Sequence, residues 1–371
     1  QIQVAYSHFY KFSNFKKSRT KVKIIIEKNI FAGNLKRRSF INMATKTKIN
    51  RIGVITSGGD APGMNAAIRA VVRTSIYYGK EIYGFYRGYQ GIIEKSYMQM
   101  QSHSVSKIIS QGGTILKSSR YPEFKDKFVR EKAYNNLREL GIDGLVVIGG
   151  DGSFRGADLL YKEHGLPVIG VPGTIDNDIY GTDFTIGFDT AINTAVQAID
   201  KLRDTADSHN LVFFVEVMGR DAGFIALNTA MATGAETTLI PEIPTTIDKL
   251  CEYLQFERRK NKTSGIIIVA EGGDLGNANQ IAEKVKERIP NYETRVTTLG
   301  HIQRGGSPTC NDRVLASILG YGAVKALLDG RSGVMIGQMQ NETVFTPFSE
   351  ACSRHNEINT KWYDITRVLS I

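Results

Sequence analysis

The sequence of residues 144–178 is GLVVIGGDGSFRGADLLYKEHGLPVIGVPGTIDND. It contains two short β-branched apolar runs, at residues 145–148 and 168–171, and each run ends at glycine or proline. Such runs are typical of buried parallel strands that deliver loops to the carboxyl edge of a sheet. Ligands of open α/β sheets bind at that edge. Two acidic loops delivered side by side therefore predict a site for metal-bound phosphate and a proton acceptor.

The chain on either side of this stretch alternates between strand and helix patterns. A first strand is predicted at residues 52–56 and is closed by the glycine-rich turn SGGDAPGMN at 57–65, where backbone N–H groups can approach a phosphate. A second strand is predicted at 81–85, followed by a loop at 86–92 that contains Tyr89. The alternation continues to a last helix predicted at 312–328. This order predicts an α/β fold with parallel sheets covered by helices on both faces.

The composition limits the classes of protein to which the chain can belong. Its 371 residues, 42% of them hydrophobic, can bury one large core or two of ordinary size. The three cysteines, Cys251, Cys310 and Cys352, lie far apart without metal-ligand spacing, which predicts free thiols in a reducing compartment. No apolar run approaches the roughly 20 residues of a membrane helix. We therefore expect a cytoplasmic protein without a membrane partner.

The net charge of +10 comes almost entirely from the first 42 residues. That leader holds ten Lys/Arg and one acidic residue, Glu27, which leaves 37 basic and 36 acidic residues in the remainder. A nearly neutral body does not indicate a nucleic-acid partner. We expect residues 1–42 to lie outside the fold. They could be a transit peptide or an expression artefact, but we favour a start at Met43, with the leader an over-extended reading frame.

The acidic loops have alternative interpretations. Asp151, in GGDGS, can hold Mg²⁺ through water, or it can simply cap a helix. Asp176 and Asp178 flank Asn177 in PGTIDND and can divide proton acceptance from orientation, or they can form an ordinary polar turn. Cations at predicted strand ends favour the chemical interpretation, because arginine forks bind phosphate oxygens. These cations are Arg120, Arg220, Arg295, His301 and Arg304.

From residue 52 to the C-terminal region, the chain resembles the bacterial-type ATP-dependent 6-phosphofructokinases. The matching motifs are SGGDAPGMN at 57–65, GGDGS at 149–153, PGTIDND at 172–178, EVMGR at 216–220 and GHIQRGGSP at 300–308. The resemblance implies two similar three-layer α/β domains with mainly parallel sheets and an active site in the cleft between them. It places an ATP-binding domain at 43–186 plus about 302–352, and a fructose 6-phosphate-binding domain at 187–301 plus about 353–371.

The resemblance also assigns roles to single residues. Asp151 would bind Mg²⁺, Asp176 would be the base on the sugar 1-hydroxyl, and Arg295 would reach a neighbouring subunit of a homotetramer. The implied catalytic residues are Asp176, Thr174, Asp178, Arg220 and Arg120. The implied ATP-binding residues are Gly59, Tyr89, Arg120, Tyr121, Gly150, Asp151, Gly152 and Ser153. The implied fructose 6-phosphate-binding residues are Thr174, Asp176, Met218, Gly219, Arg220, Glu271, Arg295, His301 and Arg304.

The family pattern also bears on the phosphoryl donor and on regulation. Pyrophosphate-using relatives carry an acidic residue in place of Gly152 and a lysine in place of Gly173, so the two glycines favour ATP. An effector site for a nucleoside diphosphate or phosphoenolpyruvate is implied, although Ser102 and Lys107 replace a usual arginine and aspartate. The implied effector residues are Arg69, Arg73, Arg203, Glu236, Lys260 and Lys262.

One departure concerns the sugar site. Leu211 stands where the family carries an arginine that reaches the sugar 6-phosphate of a neighbouring subunit, so we expect weaker sugar binding. Three rival interpretations remain open: a NAD or lipid kinase, which would also use GGDG; a catalytically silent nucleotide-sensing subunit; and a nucleic-acid binder, which would rest entirely on the leader. Together the motifs favour an enzyme that phosphorylates fructose 6-phosphate at the committed step of glycolysis.

Overall fold

The computed structural model describes residues 49–259, 264–290 and 292–370. The strands are β1 (Arg51–Ser57), β2 (Glu81–Phe85), β3 (Tyr97–Gln99), β4 (Gly144–Gly149), β5 (Val168–Thr174), β6 (Ile186–Gly187), β7 (Val212–Val217), β8 (Thr237–Leu239), β9 (Gly265–Ala270), β10 (Thr294–Thr298), β11 (Val334–Met339) and β12 (Glu342–Pro347). The α-helices are α1 (Met64–Tyr77), α2 (Tyr89–Ile93), α3 (Lys127–Glu139), α4 (Asp151–His164), α5 (Phe188–His209), α6 (Phe224–Thr233), α7 (Ile247–Arg259), α8 (Ala278–Arg288), α9 (Cys310–Leu328), α10 (Phe348–Ala351) and α11 (Thr360–Leu369). Short 3₁₀ turns occupy Ser102–Val105, Pro122–Lys125 and Gly300–Arg304.

These strands form two sheets. The larger has the order β12-β11-β5-β4-β1-β2-β3, with β6 paired to the end of β5, and the smaller has the order β10-β7-β9-β8. All pairs in the smaller sheet are parallel, and in the larger sheet β3 and β12 add antiparallel edges. The central strands β4 and β9 are buried along their whole length, as their continuous apolar sequences predict.

Helices cover both faces of each sheet. In the larger sheet, α1 and α9 pack against each other on one face, and α4 packs on β4 and β5 from the other. One hydrophobic cluster continues from the larger sheet, through Val54 and Val146, into the smaller sheet at Val215 and Ile268. The predicted α/β class with mainly parallel sheets is confirmed.

Two sequence predictions about local structure were wrong. Residues 86–92, predicted to be a loop, contain the start of α2, because Tyr89 and Ile92 lie one helical turn apart and are both buried. The strict strand–helix alternation also breaks down at the C-terminal side, where β11 and β12 form an antiparallel hairpin.

Residues Thr47–Ile371 form one compact unit, and its predicted division into two domains stays a prediction. The predicted leader, residues 1–42, lies outside the described residues. Within the described chain, each helix is too short or too polar to cross a bilayer.

Candidate active site

Three loops meet at the carboxyl edge of the larger sheet. Ser57 at the end of β1 pairs with Gly149 at the end of β4, and Gly149 pairs in turn with Pro172 near the end of β5. This register brings the turn at 57–65 beside the loops at 149–153 and 172–178, as predicted. Together with Arg220, which follows β7 of the smaller sheet, they line a cavity of about 570 Å³.

The GGDGS loop is held by the backbones around it. The Ser153 hydroxyl donates to the carbonyl of Ser57 (3.0 Å), and the Tyr89 hydroxyl donates to the carbonyl of Ser153 (2.6 Å). Gly150 is the residue before α4, so Asp151 occupies the first helical turn and makes no cap hydrogen bond. The alternative of a capping aspartate is therefore not supported. Instead, the Asp151 carboxylate faces two guanidinium groups, at 3.0 Å from Arg155 and 3.8 Å from Arg220.

The loop at 172–178 carries two carboxylates, Asp176 and Asp178, and burial affects both. Asp176 is 2% exposed, and its Oδ1 makes no hydrogen bond within the described chain. Burial raises the pKa of Asp176, and the guanidinium groups of Arg220 and Arg304 oppose that shift only in part. Burial also raises the pKa of Asp178, and the neighbouring charges of Asp176 and Asp151 add to the effect. Buried carboxylates with raised pKa values occur at sites where protons are exchanged.

Arg220 faces the two acidic loops from the smaller sheet. Its Nε lies 3.8 Å from the Asp176 carboxylate, and its backbone is left-handed, with φ +56°. Glu271, after β9, stabilises this conformation, because one carboxylate oxygen accepts the backbone N–H groups of Gly219 (3.2 Å) and Arg220 (2.8 Å). Glu271 therefore positions the arginine that lies between the carboxylates.

Arg304, at the end of the 3₁₀ turn after β10, contacts the turn at 57–65. Its Nη1 donates to the carbonyl of Asp60 (3.4 Å). A Cβ atom on Gly59 would clash with the same nitrogen, so any other residue here would require the guanidinium to shift. The lining has more cations than carboxylates, which favours a polyanionic ligand. These cations are Arg120, Lys125, Arg155, Arg220 and Arg304, and the carboxylates are Asp151, Asp176 and Asp178.

Most of the predicted site residues line this one cavity. Those that do are Gly59, Tyr89, Arg120, Tyr121, Gly150, Asp151, Gly152, Ser153, Thr174, Asp176, Asp178, Arg220 and Arg304. Met218, Gly219, Glu271, Arg295 and His301 are not among its lining residues. Sequence reasoning missed Phe124, whose ring stacks on Tyr89 at 3.9 Å, and Arg155. Arg155 could have been found, because it lies one helical turn beyond Asp151.

Leu211 and Arg295 lie at the amino ends of the strands of the smaller sheet, whereas Arg220 lies at the carboxyl ends. Leu211 immediately precedes β7, whereas Arg220 follows its end, and a strand of six residues spans roughly 20 Å. Arg295, near the start of β10, pairs with Phe213, near the start of β7. Arg295 is exposed, with Nη2 3.8 Å from Glu293, and Leu211 is 6% exposed within the hydrophobic core.

The predicted effector residues fall into two groups in the described chain. Arg69 and Arg73 lie on α1, beside the larger sheet, and the pKa of Arg69 is lowered by burial and by the charge of Arg73. Arg203, on α5, donates to the carbonyl of Thr233 (2.7 Å), and buried Glu236 accepts the backbone N–H of Ile266. Lys260 and Lys262 lie outside the described residues.

The fold and the cavity define a class of protein: an α/β protein with acidic and arginine-bearing loops at the carboxyl edge of a mainly parallel sheet. Comparison with known proteins narrows this class. Residues 51–327 match the family described as phosphofructokinase, and the chain belongs to that family. It is therefore a kinase, and the predicted resemblance is confirmed.

Several curated relatives and solved structures are similar to it. An ATP-dependent 6-phosphofructokinase 2 from Bacteroides thetaiotaomicron is 53% identical over 86% of this chain and 98% of its own length. An ATP-dependent 6-phosphofructokinase 1 from Thermus thermophilus is 54% identical over 87% of this chain and 100% of its own. The structure of phosphofructokinase from Saccharomyces cerevisiae superposes with a TM-score of 0.77 at 40% identity, covering 82% of this chain and 45% of the yeast chain. A pyrophosphate-dependent phosphofructokinase from Marinobacter aquaeolei, 23% identical with a TM-score of 0.75 over 84% of this chain and 86% of its own, shares the fold.

Proposed function

We propose that this chain transfers the γ-phosphoryl group of MgATP to the 1-hydroxyl of fructose 6-phosphate, forming fructose 1,6-bisphosphate and ADP. The observation that carries the proposal is the cavity that unites the GGDGS loop, Asp176 and Arg220. The names of relatives more than 50% identical over nearly their whole length support the same reaction. It corresponds to the committed step of glycolysis, in the cytoplasm.

Asp176 takes the proton of the sugar hydroxyl as the new bond forms. Its raised pKa brings its basicity closer to that of a general base at neutral pH, and its unpaired Oδ1 is available to a substrate hydroxyl. Asp178 and Thr174 border the same space, and the Asp176 backbone N–H donates to the Thr174 hydroxyl (3.3 Å). This bond holds the Asp176 backbone close to the Thr174 side chain.

Arg220 and Arg120 stabilise the charge on the transferring group. The γ-phosphoryl oxygens carry dispersed negative charge in the transition state, so catalysis depends on positioned cations. Arg220 lies within 4 Å of both Asp151 and Asp176, that is, between the metal side and the acceptor side of the cavity. An exposed guanidinium in this position can move onto the phosphoryl oxygens when the nucleotide binds.

The donor set is compatible with Mg²⁺. Among the described residues no three Asp, Glu, His or Cys side chains cluster as a metal cage. Mg²⁺ does not need one, because it keeps several waters and is bound by one or two carboxylates plus substrate phosphates. Asp151, at the edge of the cavity, supplies such a carboxylate. A bound Mg²⁺ ion would supply positive charge to offset the negative charge of the nucleotide's phosphates.

The glycines favour ATP as the donor. A Cβ on Gly152 would meet no atom within 4 Å, so this side of the loop leaves free space for the nucleotide's phosphates. Gly59, Tyr121 and residues 150–153 border the nucleotide, and Tyr89 supports them through Ser153.

The sugar phosphate is held from both sheets and by a second subunit. Met218, Gly219, Glu271, His301 and Arg304 are the contacts from the same chain. Arg295 is exposed at the opposite edge of its own sheet, a position compatible with a role in the site of a neighbour in a homotetramer. In the same homotetramer, an effector site regulates the enzyme. Its residues are Arg69, Arg73, Arg203, Glu236, Lys260 and Lys262.

ADP release by the purified chain tests the proposal. With MgATP, we expect release to depend on fructose 6-phosphate and to cease when EDTA is in excess over Mg²⁺. Pyrophosphate in place of ATP should not support the reaction. ADP release that is indifferent to fructose 6-phosphate would rule the proposal out, and product formation from pyrophosphate would rule out the assignment of the donor.

A further inference from the structure

The loop that carries the two carboxylates is shaped around Asn177. This residue lies between Asp176 and Asp178 and has a left-handed backbone, with φ +57°. Asparagine tolerates that conformation better than most residues. Both neighbouring carboxylates border the cavity.

From the inner side, the Asn177 side chain fixes the loop to the segment before β6. Its Oδ1 accepts the backbone N–H of Thr185 (2.8 Å), and its Nδ2 donates to the carbonyl of Asp183 (3.1 Å). The Thr185 hydroxyl donates to the carbonyl of Thr174 (2.7 Å), which closes the base of the loop. These bonds satisfy the side chain of Asn177. The backbone carbonyls of Asn177, Asp178 and Thr182 are bound by another part of the chain.

One distant residue, Asn356, binds three of those carbonyls. Its backbone N–H donates to Asp178 (3.0 Å), and its Nδ2 donates to Asn177 (3.3 Å) and Thr182 (3.0 Å). An antiparallel bridge between Ile179 and His355 continues the contact. Asn356 therefore spans the loop from one end to the other.

Asn356 is not among the residues that line the cavity. It lies between α10 and α11, where the chain passes from the larger sheet to the smaller one. On one side α10 packs on α4, and on the other α11 packs on α6 and β8. The loop that carries Asp176 and Asp178 is thus hydrogen-bonded to the segment through which the chain crosses from one sheet to the other.

We propose that Asn356 is a positioning residue for the phosphoryl transfer, holding the Asn177–Thr182 backbone so that Asp176 and Asp178 keep their places in the cavity. This inference rests on the proposed function. The physical reason is geometric, because a displacement of about 1 Å at a reacting group can slow catalysis roughly 100-fold. The loop has no other side-chain donor to replace the two bonds from Nδ2 among the contacts of the described chain.

Two substitutions in the full chain test the inference. Asn356→Ala removes both side-chain donors but keeps the backbone N–H, and Asn356→Asp keeps the shape while placing oxygen against two carbonyls. We expect kcat to fall about 10- to 100-fold in both. The half-saturating ATP concentration should change less than about threefold, because the GGDGS loop does not contact Asn356, and the melting temperature should fall by no more than about 3 °C. His355→Ala, which alters an exposed side chain of the same segment, should match the wild-type chain.

The outcomes separate this inference from the proposed function. A wild-type chain that does not phosphorylate fructose 6-phosphate overturns the proposed function, and the positioning role with it. An active wild-type chain whose Asn356 variants keep their kcat overturns the positioning role alone. Variants that lose ATP affinity and melting temperature in step with kcat also overturn it, because general destabilisation would then explain the loss.

Discussion

Replacing Asp176 by asparagine should slow the reaction and at the same time stabilise the protein. Asparagine keeps the shape of the side chain but cannot accept a proton, so we expect kcat to fall about 10²- to 10⁴-fold. The stabilising effect follows from burial: the side chain is 3% exposed and its Oδ1 has no hydrogen-bond partner in the described chain. Leaving a charged acceptor in that state costs about 1–3 kcal/mol.

Part of that cost remains in the variant, because the new amide also needs partners. We therefore expect a gain of about 1–2 kcal/mol in the free energy of unfolding, or roughly 2–4 °C in the melting temperature. Differential scanning calorimetry without nucleotide measures it at pH 7.5, and coupled ADP release measures kcat on the same preparations. Such opposite changes are expected where an active site stores an unfavourable charge.

The pH dependence of this gain checks its cause. The pKa of Asp176 is raised in the folded chain above its ordinary value of about 3.9, so the folded state binds the proton more tightly. The wild-type chain therefore loses stability as the pH rises through the raised pKa, and the asparagine variant does not. The difference in melting temperature should be full at pH 7.5 and shrink toward pH 4. A variant that melts lower than the wild type at pH 7.5, or whose kcat stays within tenfold, would refute this reasoning.

Three further changes have distinct expected results. Gly152→Asp places a carboxylate in the open space proposed for the phosphates of ATP. The half-saturating ATP concentration should rise at least about tenfold, because a like charge at about 5 Å costs ~1–3 kcal/mol. An unchanged value would place the nucleotide elsewhere. Leu211→Arg puts a guanidinium into the hydrophobic core. Calorimetry should show a melting temperature lower by about 3 °C or more. Tighter fructose 6-phosphate binding without that loss would contradict the burial of residue 211. Deleting residues 1–42 should leave kcat and melting temperature unchanged, and an inactive or insoluble product would make the leader structural.

The sequence was sufficient to predict the central strands and the loops that follow them. Short β-branched runs that end at glycine or proline are typical of buried parallel strands, and once β4 and β5 are parallel neighbours their carboxyl ends must meet. The hairpin of β11 and β12 was missed because its turn, Gln340 and Asn341, is a weak signal for the two left-handed residues that it contains. The burial of Tyr89 in α2 depends on Phe124 from a distant turn, which no local pattern shows.

Within the site, the sequence identified the groups that carry charge but not those that orient them. Asp151, Asp176 and Arg220 stand in motifs of recognisable composition. The bond from Asn356 to Asn177 joins residues 179 positions apart, and Glu271 reaches the Arg220 backbone across 51 positions. Such pairs follow from the packing of the two sheets, so they become visible only when the fold is known.

Two of the three crossings between the sheets bear on Asn177, and the other bears on the start of α5. Thr185, before the first crossing, binds Asn177; Thr309, on the second, donates its backbone N–H to the Thr190 hydroxyl at the start of α5; and Asn356 lies on the third. The two sheets also share one hydrophobic cluster. Thermal unfolding of the described chain should therefore be a single cooperative event, in which activity is lost at the same temperature as the bulk structure rather than before it. The loop that carries Asp176 and Asp178 is thus hydrogen-bonded to two of the segments that join the two sheets.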